Sequence, residues 1–397
     1  MKGTIPLITG SRARSICWFL VAVSAVVYAP FAAQTVWVIL HPDGYSLTAE
    51  LMKNTVSNEY AYGPSSGALT QPPVYHNRFQ FPMMVHVVVG SLLMLLGPLQ
   101  FSKKLRIKHH VLHRYIGFSY LAMVALSLMG SAPFLLFAKS DEVFSGNAFR
   151  ITLLLAWLGT FATAIMAYVA IAMRDVISHL RLLSINFALL LSAPLLRYEW
   201  IALGNISPVR THPEVNQAII VHIAAVLLVG ALVAQRSIDR RSNVPGMDIN
   251  NPPPTARRAI YCSGGAAAFV LGVIAGNGDP MEKYIALSLI VSFAIASITF
   301  VMAAQKARRD RAELAGYEWR MALIGTALGA VLTLAVYLLL SRFMPNSQSF
   351  LFAAAFSWPV TLFTTNAWTI FRLHMAWRRL RSKTSSSTPE DRQKVST

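Results

Sequence analysis

MMVHVVVGSLLMLLGPLQFSKKLRIKHHVLHRYIGFSY, residues 83–120, decides the fold. Two apolar runs of membrane-spanning length flank a loop that carries five bases, Lys103, Lys104, Arg106, Lys108 and Arg114. The runs are apolar on every face rather than on one stripe, as lipid demands of a helix. Each holds one histidine, His86 one turn inside the first run and His113 at the mouth of the second. Ionisable groups at membrane depth are costly, so these two imidazoles are the first places to look for function.

The composition agrees. Of 397 residues, 55% are hydrophobic and only 13% charged, with a mean hydropathy of +0.49, too little polar material to clothe a soluble globule. The formal charge of +18 would suit nucleic acid, but the bases sit in short loops between apolar runs, which excludes a nucleic-acid partner. Cys17 and Cys262 form no disulfide framework or zinc spacing, and no Walker loop, dinucleotide fingerprint, HExxH or nucleophile elbow occurs.

Working outward from 83–120, apolar runs recur near 16–40, 82–101, 115–138, 150–173, 182–204, 215–235, 259–276, 283–304, 321–341 and 350–372. Each approaches the ~20 residues that span the bilayer. The expectation is an all-α, polytopic transmembrane bundle of about ten helices. The first run is too long for a signal-peptide core and reads as an uncleaved helix, bent at Pro30. With the amino terminus cytoplasmic, 27 of the 35 lysines and arginines fall on that side and 7 on the other, Arg197 lying within a span. That asymmetry places both termini in the cytoplasm and the chain in the inner (plasma) membrane.

Four segments follow. Residues 1–81 hold the first span and an outer polar loop with a short interfacial helix around 47–56. Residues 82–235 form a histidine-bearing bundle, 236–372 a C-terminal four-helix region, and 373–397 a basic, disordered tail. Gly264, Ala268, Gly272 and Gly276, with Gly325 and Gly329, form small-residue stripes for close helix contact.

In this topology His86, His222 and Arg197 share the outer layer, while His113 and His179 share the inner one. Two layers of imidazole suit a di-haem electron carrier, since each b-type haem takes two axial imidazoles from different helices. Gly90 follows His86 by one turn and Gly117 follows His113 likewise, leaving a gap for a flat macrocycle. His222 has Val226 in that place. Arg197 would neutralise the outer propionates and Arg114, Lys104 or Arg181 the inner ones. The plainer reading of each histidine is a headgroup-level or packed side chain. His41, His76, His109, His110, His212 and His374 read as solvated loop residues, and Glu199 as solvated near the outer edge.

The succession of His86, GPLQF at 97–101, HRYIG at 113–117, Trp157, His179 with Arg181, and Arg197 resembles the bacterial predicted-membrane-protein family called domain of unknown function 2306, over about 82–205. Where that family has HRRWM after the loop histidine, this chain has HLRLLS. The layout is similar to the cytochrome b561 and ferric-reductase group, which by analogy implies haem.

The sequence therefore predicts electron transfer through haem b held by His86 with His222 and His113 with His179, a membrane oxidoreductase or electron-transfer subunit using quinone or a small-molecule reductant. Two alternatives stay open. One is a transporter or small-ligand-binding protein whose outward-facing cavity is lined by His86, Arg197 and His222; the other is a structural subunit that assembles as a homo-oligomer or with a partner.

Overall fold

A computed structural model describes residues 11–41, 46–63, 78–207, 210–239, 241, 243–244 and 252–386. Among the described residues there are fifteen α-helices and no strands. The first span is α1 (Ser11–Leu40), followed by two short helices, α2 (Leu47–Thr55) and α3 (Asn58–Tyr62). The central bundle comprises α4 (Gln80–Gln100), α5 (Lys103–Lys108), α6 (His110–Phe137), α7 (Asn147–Ala172), α8 (Val176–Leu190), α9 (Ser192–Ile206), α10 (His212–Ile220) and α11 (Ile223–Ile238). The C-terminal helices are α12 (Pro254–Gly276), α13 (Pro280–Arg309), α14 (Glu313–Leu340) and α15 (Asn346–Ser386).

By length and composition, seven helices can cross a membrane: α1, α4, α6, α7, α12, α13 and α14. Two bent pairs, α8 with α9 (43°) and α10 with α11 (47°), raise the number to nine if each is one span. The expected straight helices at 182–204 and 215–235 are thus both broken. In the first, Pro194 lies one turn beyond Leu190, so it offers no N–H to that carbonyl and its ring pushes the helix aside. In the second, the His222 amide bonds to the Ile219 carbonyl (3.1 Å), and Ser288 Oγ donates to the freed Ala218 carbonyl (2.8 Å). A side chain from α13 has taken the place of a ladder bond.

The expected tenth span, α15, is not among those seven helices. Burial explains its composition: Ala353, Ala354, Ala355, Trp358 and Leu362 are fully enclosed by protein. It packs against α14, α7, α11, α8 and α13, and Ser349, Ser357, Thr365, Asn366 and Thr369 are buried there. Its 41 residues extend to Ser386, so 373–386 is helix rather than the disordered tail expected there; 387–397 lies outside the described residues.

α4 and α6 run antiparallel in close contact. An added Cβ on Gly130 would stand 2.7 Å from the Pro82 carbonyl and 2.8 Å from the His86 amide. The C-terminal stripes divide. Gly264 abuts Ala327 on α14, and Gly325 and Gly329 lie under Thr361, Thr365 and Trp358 of α15, whereas Gly276 meets nothing within 4 Å. Stacked against Trp358 is Phe293 of α13 (4.2 Å). One hydrophobic core runs from α1 through α15, across the 236–258 connection. The interfacial helix expected near 47–56 is α2; Met52 with Tyr60 and Ala61 seals a smaller cluster against Leu196, Trp200 and Val215. Pro72, Pro73 and His76 lie outside the described residues.

Candidate functional site

His86 and Gln100 stand at opposite ends of α4. From His86 to Gln100 at the far end of α4 the helix rises about 21 Å, and His86 meets Ser127 and Gly130 of α6, while Gln100 meets Gly117 near the start of the same helix.

At the His113 end the two quoted motifs converge. Gly97 lets α4 lie directly on the Phe187 ring of α8. Gln100 is buried at 2% exposure, and a Cβ on Gly117 would stand 3.3 Å from its Oε1. Among the described residues Gln100 Nε2 and His113 Nδ1 are buried without a hydrogen-bond partner. His179 occupies the first turn of α8, where its Nδ1 donates to the Ala167 carbonyl of α7 (2.8 Å). That bond fixes the tautomer and orients the ring with Nε2 free of any partner among the described residues. His113 and His179 lie within electrostatic reach of each other, and Arg106 within reach of both. Beneath them a buried chain ties three helices: Tyr120 donates to Asn186 Oδ1 (2.7 Å), and Asn186 Nδ2 donates to the Thr160 carbonyl (2.7 Å) and Thr163 Oγ1 (3.1 Å).

Arg181, expected beside inner propionates, is elsewhere engaged. At 1% exposure it pairs with Asp239 (2.9 Å) and Glu318 (2.6 Å), Arg236 also reaching Glu318 (2.9 Å) and Arg241 reaching Asp239 (2.8 Å). Glu318 lies outside the expected run 321–341, but α14 begins at Glu313 and carries it inside. Arg114 and Lys104 remain exposed.

At the other end, His86 Nδ1 contacts the Ser127 carbonyl (2.9 Å) and Ser127 Oγ (3.0 Å). Gly90 is open, its nearest neighbour Ser127 Oγ at 3.9 Å. The Arg197 guanidinium donates to the Ala193 carbonyl (3.1 Å), lies over Trp200 (5.0 Å) and is within electrostatic reach of His86 and His212. His222 sits at the α10–α11 break with both ring nitrogens in contact, Nδ1 with Ser288 Oγ (2.9 Å) and Nε2 with Glu199 Oε2 (3.5 Å). Glu199 is therefore drawn to His222 rather than solvated.

Sequence reasoning passed over two residues. His212, read as loop, is 1% exposed and boxed by Tyr60, Phe144 and Trp200 at 4.6–4.9 Å, with Trp200 donating to Asn216 Oδ1 one turn on (2.9 Å). The signal was present: Thr211 and Glu214 form a capping box around Pro213, which puts His212 in a first helical turn. His374, also read as surface, contacts Asp175 Oδ2 through Nδ1 (2.8 Å). His41, His109 and His110 are exposed, as expected.

Among the described residues no three His, Cys, Asp or Glu side chains gather to hold a metal ion, so the four predicted histidines do not form one centre. What stands is a pair of imidazoles at one end and a polar cluster at the other.

These features define a multi-pass helical membrane protein. Residues 83–238, spanning α4 to α11 and all four predicted histidines, match the family described as predicted membrane protein (DUF2306). The match extends past the 82–205 expected from the motifs and takes in His222. No curated protein and no solved structure matches the chain.

Proposed function

We propose that this protein transfers electrons at the cytoplasmic face of the inner membrane, with His113 and His179 as the residues that would hold a b-type haem there. The observation that supports this reading is the His179 ring, tethered through Nδ1 to Ala167 and within electrostatic reach of His113 on a different helix. Haem, when bound, supplies a one-electron couple fed by a quinone or small-molecule reductant. The chain's residues do the rest. Ala167 holds the His179 ring and raises its basicity as a ligand; Gly117 leaves room beside His113; Arg106 offers a positive charge to the propionates. The Gln100 amide, otherwise unsatisfied, is a donor for the same edge. A second haem on His86 would require His222 to leave Ser288 and Glu199, so the reading is kept to one.

Reduced-minus-oxidised spectra of protein purified from haem-supplied cells test it. A Soret and α-band signal lost in both His113→Ala and His179→Ala, and retained in His222→Ala, is expected. A protein with no such signal ends the haem reading.

A second reading, a small-anion site at the His86 end, is favoured by one observation: Arg197 is within electrostatic reach of both His86 and the enclosed His212. Thermal stabilisation by small carboxylates that disappears in Arg197→Gln would support it; the same shift in both proteins would refute it.

A further inference from the structure

One of the C-terminal helices reaches the turn that carries His179. α15 brings His374 to Asp175, a residue 199 positions away in the chain, with Nδ1 donating to Oδ2 at 2.8 Å. Asp175 is 3% exposed and N-caps α8: its Oδ1 accepts the Ser178 amide (3.1 Å), and its main-chain carbonyl accepts the His179 amide (3.0 Å). One carboxylate thus closes the turn on which His179 stands, with one oxygen committed to the cap and the other to His374. A buried carboxylate oxygen deprived of its donor must find another, and the nearest way is to rotate away from the cap.

We infer that His374 is a positioning residue for His179: by holding Asp175 in its capping rotamer it seats the first turn of α8, and so positions the His179 imidazole. This gives the C-terminal helices a part in a site whose other residues all lie within 83–238. The inference rests on the His113–His179 site but not on what that site binds.

The test uses the full-length protein in detergent, without added haem, and reads two things: hydrogen exchange over 176–180, and the rate at which diethyl pyrocarbonate modifies His179, followed by mass spectrometry. In His374→Ala, exchange over that turn should rise about fivefold, the opening expected from loss of one capping interaction, and His179 modification should change with it. His374→Asn, whose amide nitrogen can stand where Nδ1 stood, should restore both. Asp175→Asn keeps a competent cap and guards against a misfolded His374→Ala; it should shift the His179 rate in the same direction. Unchanged His179 reactivity in all three variants overturns the inference, as does an equal change in His374→Ala and His374→Asn, which would mark the ring as mere packing. Should these shifts occur in a protein with no haem spectrum, the haem reading falls and the positioning role stands.

Discussion

Arg181 lies two residues past His179, and its neighbours decide its role. Enclosed with Asp239 and Glu318, it has lost hydration that only those carboxylates replace. Removing one partner leaves a buried charge uncompensated, so Glu318→Ala should lower unfolding stability by about 3–5 kcal/mol, while Glu313→Ala, at the exposed start of α14, should change little; denaturant unfolding in detergent checks both. None of this pairing was legible in the sequence, because Arg181, Asp239 and Glu318 are far apart in the chain and each sits near an expected loop. The histidines were partly legible. Their division into two layers follows from topology alone, but the engagement of His222 by Ser288 and Glu199 depends on which helix lies beside it. His212 was hidden by a proline and a glutamate that read as loop until recognised as a helix start.

Among the helices, the apolar runs were legible in the residues, whereas their breaks and neighbours were not. Pro194 was visible but was absorbed into a straight span; the α10–α11 break has no proline at all and is held by Ser288 from another helix. Glycines were visible too: Gly264, Gly325 and Gly329 do lie in tight helix contacts, but the two singled out beside histidines do not. Gly90 and Gly117 stand in ordinary or slightly close contact, whereas Gly130 meets the main chain beside His86. Backbone cannot yield as a flexible side chain can. Gly130→Ala should therefore push α4 from α6 and cost about 1–3 kcal/mol, the usual range for overpacking. Gly276→Ala, with nothing within 4 Å, should be close to neutral or slightly stabilising through helix propensity. Thermal melts of the two variants side by side read the difference.

For the whole molecule, the charge asymmetry and hydropathy made the membrane class plain, whereas the core shared by the family-matched bundle and the C-terminal helices could be known only from packing. Two carboxylates at that junction give it a pH dependence. Burial pushes Asp239 up, but Arg241 and Arg181 outweigh it and hold the carboxyl well below its ordinary 3.8. Burial likewise raises Asp175, and Ser178 and His374 overcome it, leaving that group lowered too. A carboxylate lowered in the folded state adds stability that is fully present above its unfolded value and lost as pH falls through the folded one. Melting temperature should accordingly hold level from neutrality down to about pH 5 and fall in stronger acid. Asp239→Asn should melt lower at neutral pH and show a shallower acid decline.

The enclosure of α15 also bears on how the chain is made. Its alanine-rich middle and Trp358 find their surroundings where Gly325, Gly329 and Phe293 stand. During synthesis α15 can therefore settle only once α14 is in place. Its ribosome-side end, carrying His374, reaches Asp175 last, so the α8 turn receives its final contact only when translation of the membrane region is complete.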